Sequence, residues 1–242
     1  MARDSRPSRE EPRRALHRRS QIRLLSGHFA AEVSEPTPSP PSRRRLTLED
    51  IDDLRAYERT RPGYRQHIVE LKRRRRVPVG PIVTLVFENR DTVRFQIQEM
   101  ARVEKMATDE QIQGELDVYN PLIPLAGELS ATLFVELTND DALREWLGKL
   151  VGIERAVELR IPGAQAGEFD VVPSVPEEAH EQALTREEVT SSVHYIRFAL
   201  DPEQVERFAQ GPVTLAVEHP AYREQTALPE EIRQELLLDL RS

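Results

Sequence analysis

The sequence contains no cysteine. Disulfide bonds, cysteine-ligated iron–sulfur clusters, zinc knuckles and thiol nucleophiles are therefore excluded. Any metal held by the chain itself would need His, Asp or Glu ligands. No apolar run approaches the roughly 20 residues of a membrane-spanning helix, and no signal-peptide core precedes the acidic body. We therefore expect a soluble, cytoplasmic protein that does not enter a membrane.

Recognised reaction motifs are also missing. There is no Gly-rich phosphate loop, no Gly-x-Ser-x-Gly elbow and no dinucleotide fingerprint. A di-iron site in a helical bundle needs two Glu-x-x-His pairs, and only Glu177 with His180 has that spacing, in a Pro-flanked segment. His67 and Glu70 have the reverse order. We expect no metal and no cofactor, and the pattern favours a protein that is not an enzyme.

Charge is distributed unevenly along the chain. Residues 1–45 carry eleven Arg against five acidic residues, a local charge of +6. Because the net charge of the whole chain is −8, the net charge of residues 46–242 is −14. The N-terminal stretch is also rich in Pro and Ser and cannot build a packed face, which predicts a disordered tail. Such a tail is either a basic arm for an acidic partner or a dispensable extension.

Residues 46–126 predict a helical segment with one buried strand. Thr47 and Asp50 resemble a helix cap, and a second helix is expected from Pro62 to Arg75. Residues 79–87 are typical of a buried strand. Asn89 or Asp91 then caps a helix that reaches about Met106, although the alternation that begins at Val93 also allows a hairpin.

Residues 127–242 contain the order strand, helix, strand twice, at 129–161 and 191–220. Two such units predict an α+β fold whose second half is a ferredoxin-like β-α-β-β-α-β sandwich. Asn139 or Asp140 caps the first helix, and Asp201 precedes the second. Residues 162–190 are acidic and rich in Pro, which indicates a linker excursion, and a C-terminal helix covers an apolar edge. Residues 46–242 together could equally form one compact domain.

Four phrases, VGPIVTLVFENRDTVRFQIQEM, YNPLIP, GELSATLFVEL and VEHPAY, occur in this order. Through these four phrases, the chain from about Leu46 to its C-terminus resembles the bacterial family called domain of unknown function 3501. The resemblance implies a gene neighbourhood that includes a rubrerythrin-like di-iron protein and a separate iron–sulfur protein. It therefore implies a setting in oxidative stress or electron transfer, and names those two proteins as candidate partners.

Seven polar residues are candidates for binding a ligand. One group shares the predicted helix after Asn89, a second follows that helix in the YNPLIP phrase, and a third ends the last predicted strand. They are Arg90, Arg94, Gln98, Glu99, Tyr119, Asn120 and His219. The i, i+4 spacing of Arg90, Arg94, Gln98 and Arg102 gives a stripe that suits a carboxylate or phosphate, and equally a solvated helix face.

Two principal functions follow from these observations. The first is a non-catalytic binding or accessory protein associated with the iron proteins named above. The alternative is a small-ligand enzyme or sensor whose pocket combines Arg, Glu, Tyr and His side chains. Nucleic-acid binding through the tail and the basic run at residues 72–76 is disfavoured, because the body is acidic and no aromatic residues are interleaved.

Overall fold

The computed structural model describes residues 45–165, 167–177 and 189–242, which lie in one compact unit, Pro38–Ser242. The helices are α1 (Leu54–Arg73), α2 (Arg90–Glu104), α3 (Asp109–Tyr119), α4 (Asp140–Lys149), α5 (Pro202–Gln210) and α6 (Glu230–Leu240). The strands are β1 (Arg76–Val79), β2 (Val83–Glu88), β3 (Glu128–Val135), β4 (Val157–Pro162), β5 (Phe169–Pro173), β6 (Val175–Pro176), β7 (Val193–Ala199), β8 (Thr214–His219) and β9 (Tyr222–Ala227). The α+β class is confirmed. The predicted tail falls outside the described residues, except for Arg45.

The helix starts follow from local side-chain chemistry. The side chain of Asn89 accepts hydrogen bonds from the amides of Asp91 and Thr92 at the start of α2. Asn139 caps α4 in the same way, and Asp201 caps α5. Each of these side chains satisfies amides that have no partner within the first helical turn. The predicted caps are confirmed, and the alternative hairpin after Asn89 is wrong.

The first helical region differs from the prediction. Thr47 and Asp50 do form a capping box, but it begins a single 3-10 turn, Leu48–Asp50. One helix, α1, then runs through Pro62 instead of starting there. Proline removes one helical hydrogen bond, and burial of Tyr57 before it and Ile68 after it offsets this cost.

The strands form two antiparallel sheets. The first has the order β1-β2-β3-β7-β6 and the second β5-β4-β8-β9. Both predicted strand-helix-strand units are present, as β3-α4-β4 and β7-α5-β8. Each unit starts in the first sheet and ends in the second, so the four strands do not form the single sheet of a ferredoxin-like sandwich.

The sheet arrangement differs from the predicted ferredoxin-like sheet because the sequence analysis did not predict several strands. β2 pairs with β3 across the boundary expected at 126–127, so both segments contribute to one sheet. The stretch read as one strand, 79–87, turns at Gly80 and belongs to a β1–β2 hairpin. The excursion at 162–190 contributes β5 and β6, and β9 pairs with β8. Residue 166 and residues 178–188 of the excursion lie outside the described part.

The two sheets enclose the larger apolar core. On one side the chain passes from β5, in the second sheet, to β6, in the first, with only Ser174 between them. On the other side β9 contacts β1, and the Tyr222 hydroxyl donates a hydrogen bond to the Val79 carbonyl at 2.6 Å. Alternate residues of β2, β3, β4 and β8 point into this core.

The C-terminal helix covers one end of the core, as predicted. Leu236 and Leu240 of α6 are buried in it, and the Leu240 carbonyl accepts a hydrogen bond from the Gly127 amide. The outer face of the first sheet is covered by a second apolar cluster that includes Val93, Ile97 and Leu116 of α2 and α3. None of the described helices is long and apolar enough to cross a membrane.

Candidate functional site

The predicted arginine stripe lies along α2, and its side chains contact the segment before α1. Arg90 donates to the Asp50 carboxylate at 2.5 Å, and Arg94 donates to the Asp50 backbone carbonyl at 2.6 Å. The guanidinium of Arg94 also lies 5.4 Å from the ring centre of Tyr64. Both arginines therefore hold the 3-10 turn of the entry segment against α2.

The remainder of the stripe continues this contact towards α1. Gln98 is buried, accepts a hydrogen bond from the Asp52 amide at 3.0 Å and donates to the Asp52 carbonyl at 2.8 Å. Arg102 donates to the Glu58 carboxylate at 2.7 Å. The two-way bond of Gln98 mimics a strand pairing and fixes the backbone at Asp52. The stripe therefore attaches residues 50–58 to α2.

Glu99, on a different side of α2, belongs to a separate polar group. It accepts a bidentate interaction from Arg61, at 2.7 and 2.9 Å, and a hydrogen bond from the buried Tyr57 hydroxyl at 2.7 Å. Burial acts to raise the pKa of Glu99, but the bonds from Arg61 and Tyr57 outweigh it and lower that pKa. Glu99 is therefore a carboxylate that ties α1 to α2.

Asn120 and Tyr119 end α3 with different neighbours. The Asn120 side chain accepts from the Leu46 amide at 2.8 Å and donates to the Leu46 carbonyl at 2.9 Å. Tyr119 is buried, and burial raises its pKa, with a further contribution from Glu115. Asn120 therefore fixes the backbone at Leu46, and Tyr119 extends into the interface between α3 and the first sheet.

Polar side chains on the outer face of the first sheet continue from Tyr119. Tyr195 lies opposite Thr132 across β3 and β7, and the Thr132 hydroxyl donates to the buried Glu88 carboxylate at 2.6 Å. Burial raises the pKa of Tyr195 well above its ordinary value, and electrostatic interactions with Tyr119 and Glu88 add to this effect. Buried acidic groups thus lie between the sheet and α3 where sequence alone predicted none.

Glu115 is the most perturbed carboxyl of this interface. It is 4% exposed, and its Oε2 atom has no hydrogen-bond partner. Burial raises the pKa of Glu115 to about 7, with a smaller contribution from the negative charge of Glu104. Folding therefore favours the protonated acid, and ionisation near neutral pH acts against the folded state.

We expect Glu115→Gln to stabilise the protein above pH 7. The rise of the pKa from 4.5 to about 7 corresponds to a cost of up to about 3 kcal/mol, which is absent below pH 4.5 and complete above pH 7. Urea unfolding at pH 5 and pH 8 measures this difference. Glu104→Gln is the matched control and should give a smaller gain, because its charge is the lesser cause. Equal stability of wild type and Glu115→Gln at pH 8 would contradict the prediction.

Among the described residues two histidines are buried, and both have intramolecular partners. His219 lies at the end of β8, where its Nε2 is 3.1 Å from the Val151 carbonyl and its Nδ1 accepts from the Ala221 amide. Sequence analysis did not select His194, whose Nε2 is 2.9 Å from the Thr190 hydroxyl and whose Nδ1 is 3.7 Å from Glu154. Both imidazole rings thus bond neighbouring backbone or side-chain groups of the chain itself.

A surface groove lies beside the entry segment that the stripe holds. Its volume is about 340 Å³, and it is half open to solvent. Its lining comes from the entry segment and start of α1, the end of α2, and the turn and start of α3: Leu48, Ile51, Asp52, Asp53, Leu54, Arg55, Ala101, Met106, Ala107, Thr108, Asp109 and Ile112.

None of the seven predicted ligand residues lines this groove. Instead Arg90, Arg94 and Gln98 hold the segment that forms one of its walls. The sequence offered little signal for the groove itself, because its apolar residues have the spacing of ordinary core positions. His219 contacts the Val151 carbonyl at the end of β8 in the second sheet, whereas the predicted residues of α2 contact the entry segment and α1.

Comparison with protein families matches residues 45–240 to the family described as protein of unknown function (DUF3501). The chain belongs to the DUF3501 family. The chain is also similar to the crystal structure of a protein of unknown function from Burkholderia pseudomallei, with 34% sequence identity and a TM-score of 0.72. The similarity covers 81% of this chain and 99% of that one. A search of curated proteins gives no match. The fold of this DUF3501 protein is thus shared with a protein from Burkholderia.

Proposed function

We propose that this DUF3501 protein is a non-catalytic binding or accessory protein that docks a partner at the groove beside α1, α2 and α3. The observation that carries the proposal is the groove itself, a half-open surface whose lining includes apolar side chains such as Leu48 and Ile51. The polar residues selected from the sequence support the fold, since Arg94, Glu99 and Asn120 all bond groups within the chain. These side chains build a binding surface rather than face a substrate.

The proposed partners are a rubrerythrin-like di-iron protein and an iron–sulfur protein. Support comes from the gene neighbourhood that the family resemblance implies. The same resemblance supports a cytoplasmic role in oxidative stress or electron transfer. In this role the iron chemistry belongs to the partners, and the DUF3501 protein provides a surface that brings them together.

Direct binding to the purified iron proteins tests this function. The full chain should bind at least one of them, measured by anaerobic calorimetry, with a defined stoichiometry and with the iron retained by the partner. Bovine serum albumin of similar net charge sign serves as a non-specific control. If neither iron protein binds under anaerobic conditions, in the oxidised or the reduced state, the proposed function is wrong.

The alternative functions have less support from the described residues. The small-ligand pocket would need Arg90, Glu99 and His219 to converge, and each has a different intramolecular partner. Part of the basic run proposed for nucleic acid is paired with acidic side chains, Arg75 with Glu235 and Asp239 of α6 and Arg76 with Glu136. Both observations favour the docking role.

A further inference from the structure

We propose that the start of α3, with the turn before it, is a flap that packs against α2 while Glu115 is protonated and loosens when this carboxyl group ionises. The flap comprises residues 107–114, and we call its packed position closed. The proposal goes beyond the docking function, because it concerns a movement of the chain alone. Its basis is a buried carboxyl group without a bond, in a helix whose firm attachments follow this residue.

Glu115 belongs to the apolar face of α3. It follows Ile112 by three residues and precedes Tyr119 by four, so the three side chains share one face of the helix. Ile112 and Tyr119 belong to the second apolar cluster, which includes residues of α2. Glu115 is 4% exposed, and its Oε2 atom has no hydrogen-bond partner in the described part of the chain. A carboxylate here loses its hydration without gaining a bond, so the closed position favours the neutral acid.

The acidic groups around Glu115 oppose its ionisation further. Burial is the main cause that raises its pKa to about 7, and the negative charge of Glu104 in α2 adds to this rise. Tyr119 stays neutral in this pH range, because burial raises its pKa. The 3-10 turn that contacts α3 carries Glu49 and Asp50, and the first sheet carries Glu88 and Tyr195 near Tyr119. These groups supply no positive charge to stabilise an ionised Glu115.

The cations of the surrounding elements are bonded to other groups. Arg90, Arg94 and Arg102 of α2 bond the entry segment and α1. Arg197 of β7 donates to the backbone carbonyl of a residue that follows α3, at 2.7 Å. No cation among the described residues contributes to the pKa of Glu115. An ionised Glu115 is therefore stabilised by moving into water, as expected of a buried charge that has no partner.

Glu115 also marks the boundary between a loosely and a firmly attached part of α3. Before it, α2 ends at the exposed Lys105, which has a φ of +54°. The amides of residues 107 and 108 then donate to the side chain of Gln111, within the flap itself. After it, Asn120 forms two hydrogen bonds with the backbone of the entry segment. The flap can therefore open while the C-terminal end of α3 stays in place, and such local openings need less free energy than global unfolding.

Loosening of the flap changes the groove, because Ala107, Thr108, Asp109 and Ile112 of the flap are among its lining residues. The raised pKa of Glu115 gives the sign of the effect. The closed position keeps its full stability below pH 4.5, loses stability as the pH rises, and has lost this contribution above about pH 7. The flap thus makes the shape of the docking surface depend on pH close to neutrality.

Hydrogen exchange of the full chain at pH 5.5 and pH 7.5 tests the proposal, with rates corrected for the pH dependence of intrinsic exchange. NMR reads the exchange at residues 112–114 of the flap and at residues 131–133 of β3, which report global opening. The flap amides should exchange about a hundredfold faster than those of β3, and low urea concentrations should accelerate β3 but hardly the flap. Protection of the flap should fall on the order of twentyfold between the two pH values, as a pKa of 4.5 in the open and about 7 in the closed position requires.

Three variants assign the pH dependence to Glu115. Glu115→Gln cannot ionise, so protection of its flap should not change between the two pH values. Asp117→Asn changes an exposed carboxylate of the same helix and should keep the pH dependence of the wild type. Glu104→Gln should move the midpoint of the change to lower pH, because the charge of Glu104 helps to raise the pKa of Glu115. A purely structural role of Glu104 would not move this midpoint.

Three results would overturn the proposal. Equal exchange and equal urea dependence in the flap and in β3 would show that only global unfolding exposes Glu115. Flap protection that is independent of pH in the wild type, or a pH dependence that persists in Glu115→Gln, would show that this carboxyl group does not control the flap. The experiment contains no partner, so its failure leaves the docking function standing, and a failure of docking leaves the flap standing.

Discussion

Arg75→Met is expected to lower the free energy of unfolding by about 3–5 kcal/mol, the usual cost of removing one partner of a buried ion pair. Arg75 is 1% exposed and donates to Asp239 of α6 at 2.6 Å and to Glu235 at 3.0 Å. Methionine fills much of the space but leaves two largely buried carboxylates without this cation. Chemical unfolding monitored by the fluorescence of Trp146 measures the change.

The adjacent Arg76 provides a matched control. It pairs with Glu136 at 2.6 Å, but both side chains are more than two-fifths exposed. Arg76→Met should therefore cost less than about 1 kcal/mol. Adding Glu235→Gln and Asp239→Asn to Arg75→Met should restore part of the stability, because no uncompensated charge is then buried. A similar loss for the Arg75 and Arg76 variants would show that burial does not set the strength of this contact.

The contacts of Arg75 show why part of the structure was predictable from the sequence and part was not. The sequence predicted that the run at residues 72–76 ends a helix, since its charges complement a helix C-terminus. It gave no indication that Arg75 would be buried, because its partners lie 160 and 164 residues further along the chain. Local caps such as Asn89 were predictable because donor and acceptor lie within three residues of each other.

The candidate site follows the same division. The i, i+4 stripe of α2 was evident from the spacing of Arg90, Arg94 and Gln98, but their partners, Asp50 and Asp52, lie 40 to 46 residues earlier in the chain. Their role as a contact to the entry segment, and with it the groove, therefore required the tertiary structure. Glu115 was missed because a carboxylate in a polar helix is usually exposed.

Strand pairing was the least predictable part. β9 carries polar, exposed residues such as Arg223 and Glu224, so its sequence lacks the alternation of a half-buried strand. Its place in the sheet comes from the backbone ladder with β8 and from Tyr222, which contacts the first sheet. The ferredoxin-like prediction was therefore wrong at the level of sheet order, although its strand-helix-strand units were present.

The contact between β9 and the first sheet leads to the second prediction, that Gly80→Ala destabilises the protein by roughly 2–4 kcal/mol. Gly80 has a φ of +68°, which alanine adopts only with strain. A Cβ atom there would overlap the Tyr222 hydroxyl and lie 2.5 Å from Cγ of Glu224. Because the Tyr222 hydroxyl is bonded to the Val79 carbonyl, it cannot move away without losing that bond. Thermal and urea unfolding measure the loss.

The control variant Gly152→Ala separates the cost of backbone strain from the cost of steric overlap at Gly80. Gly152 also has a positive φ, +91°, but an added Cβ would meet nothing within 4 Å. Its substitution should cost only the strain, about 1–2 kcal/mol. Combining Gly80→Ala with Tyr222→Phe should cost less than the sum of the two changes, because the phenylalanine ring removes one of the overlapping atoms. Additive costs, or equal losses at Gly80 and Gly152, would mean that the close approach of β9 to the β1–β2 turn contributes nothing to closing the two sheets around their core.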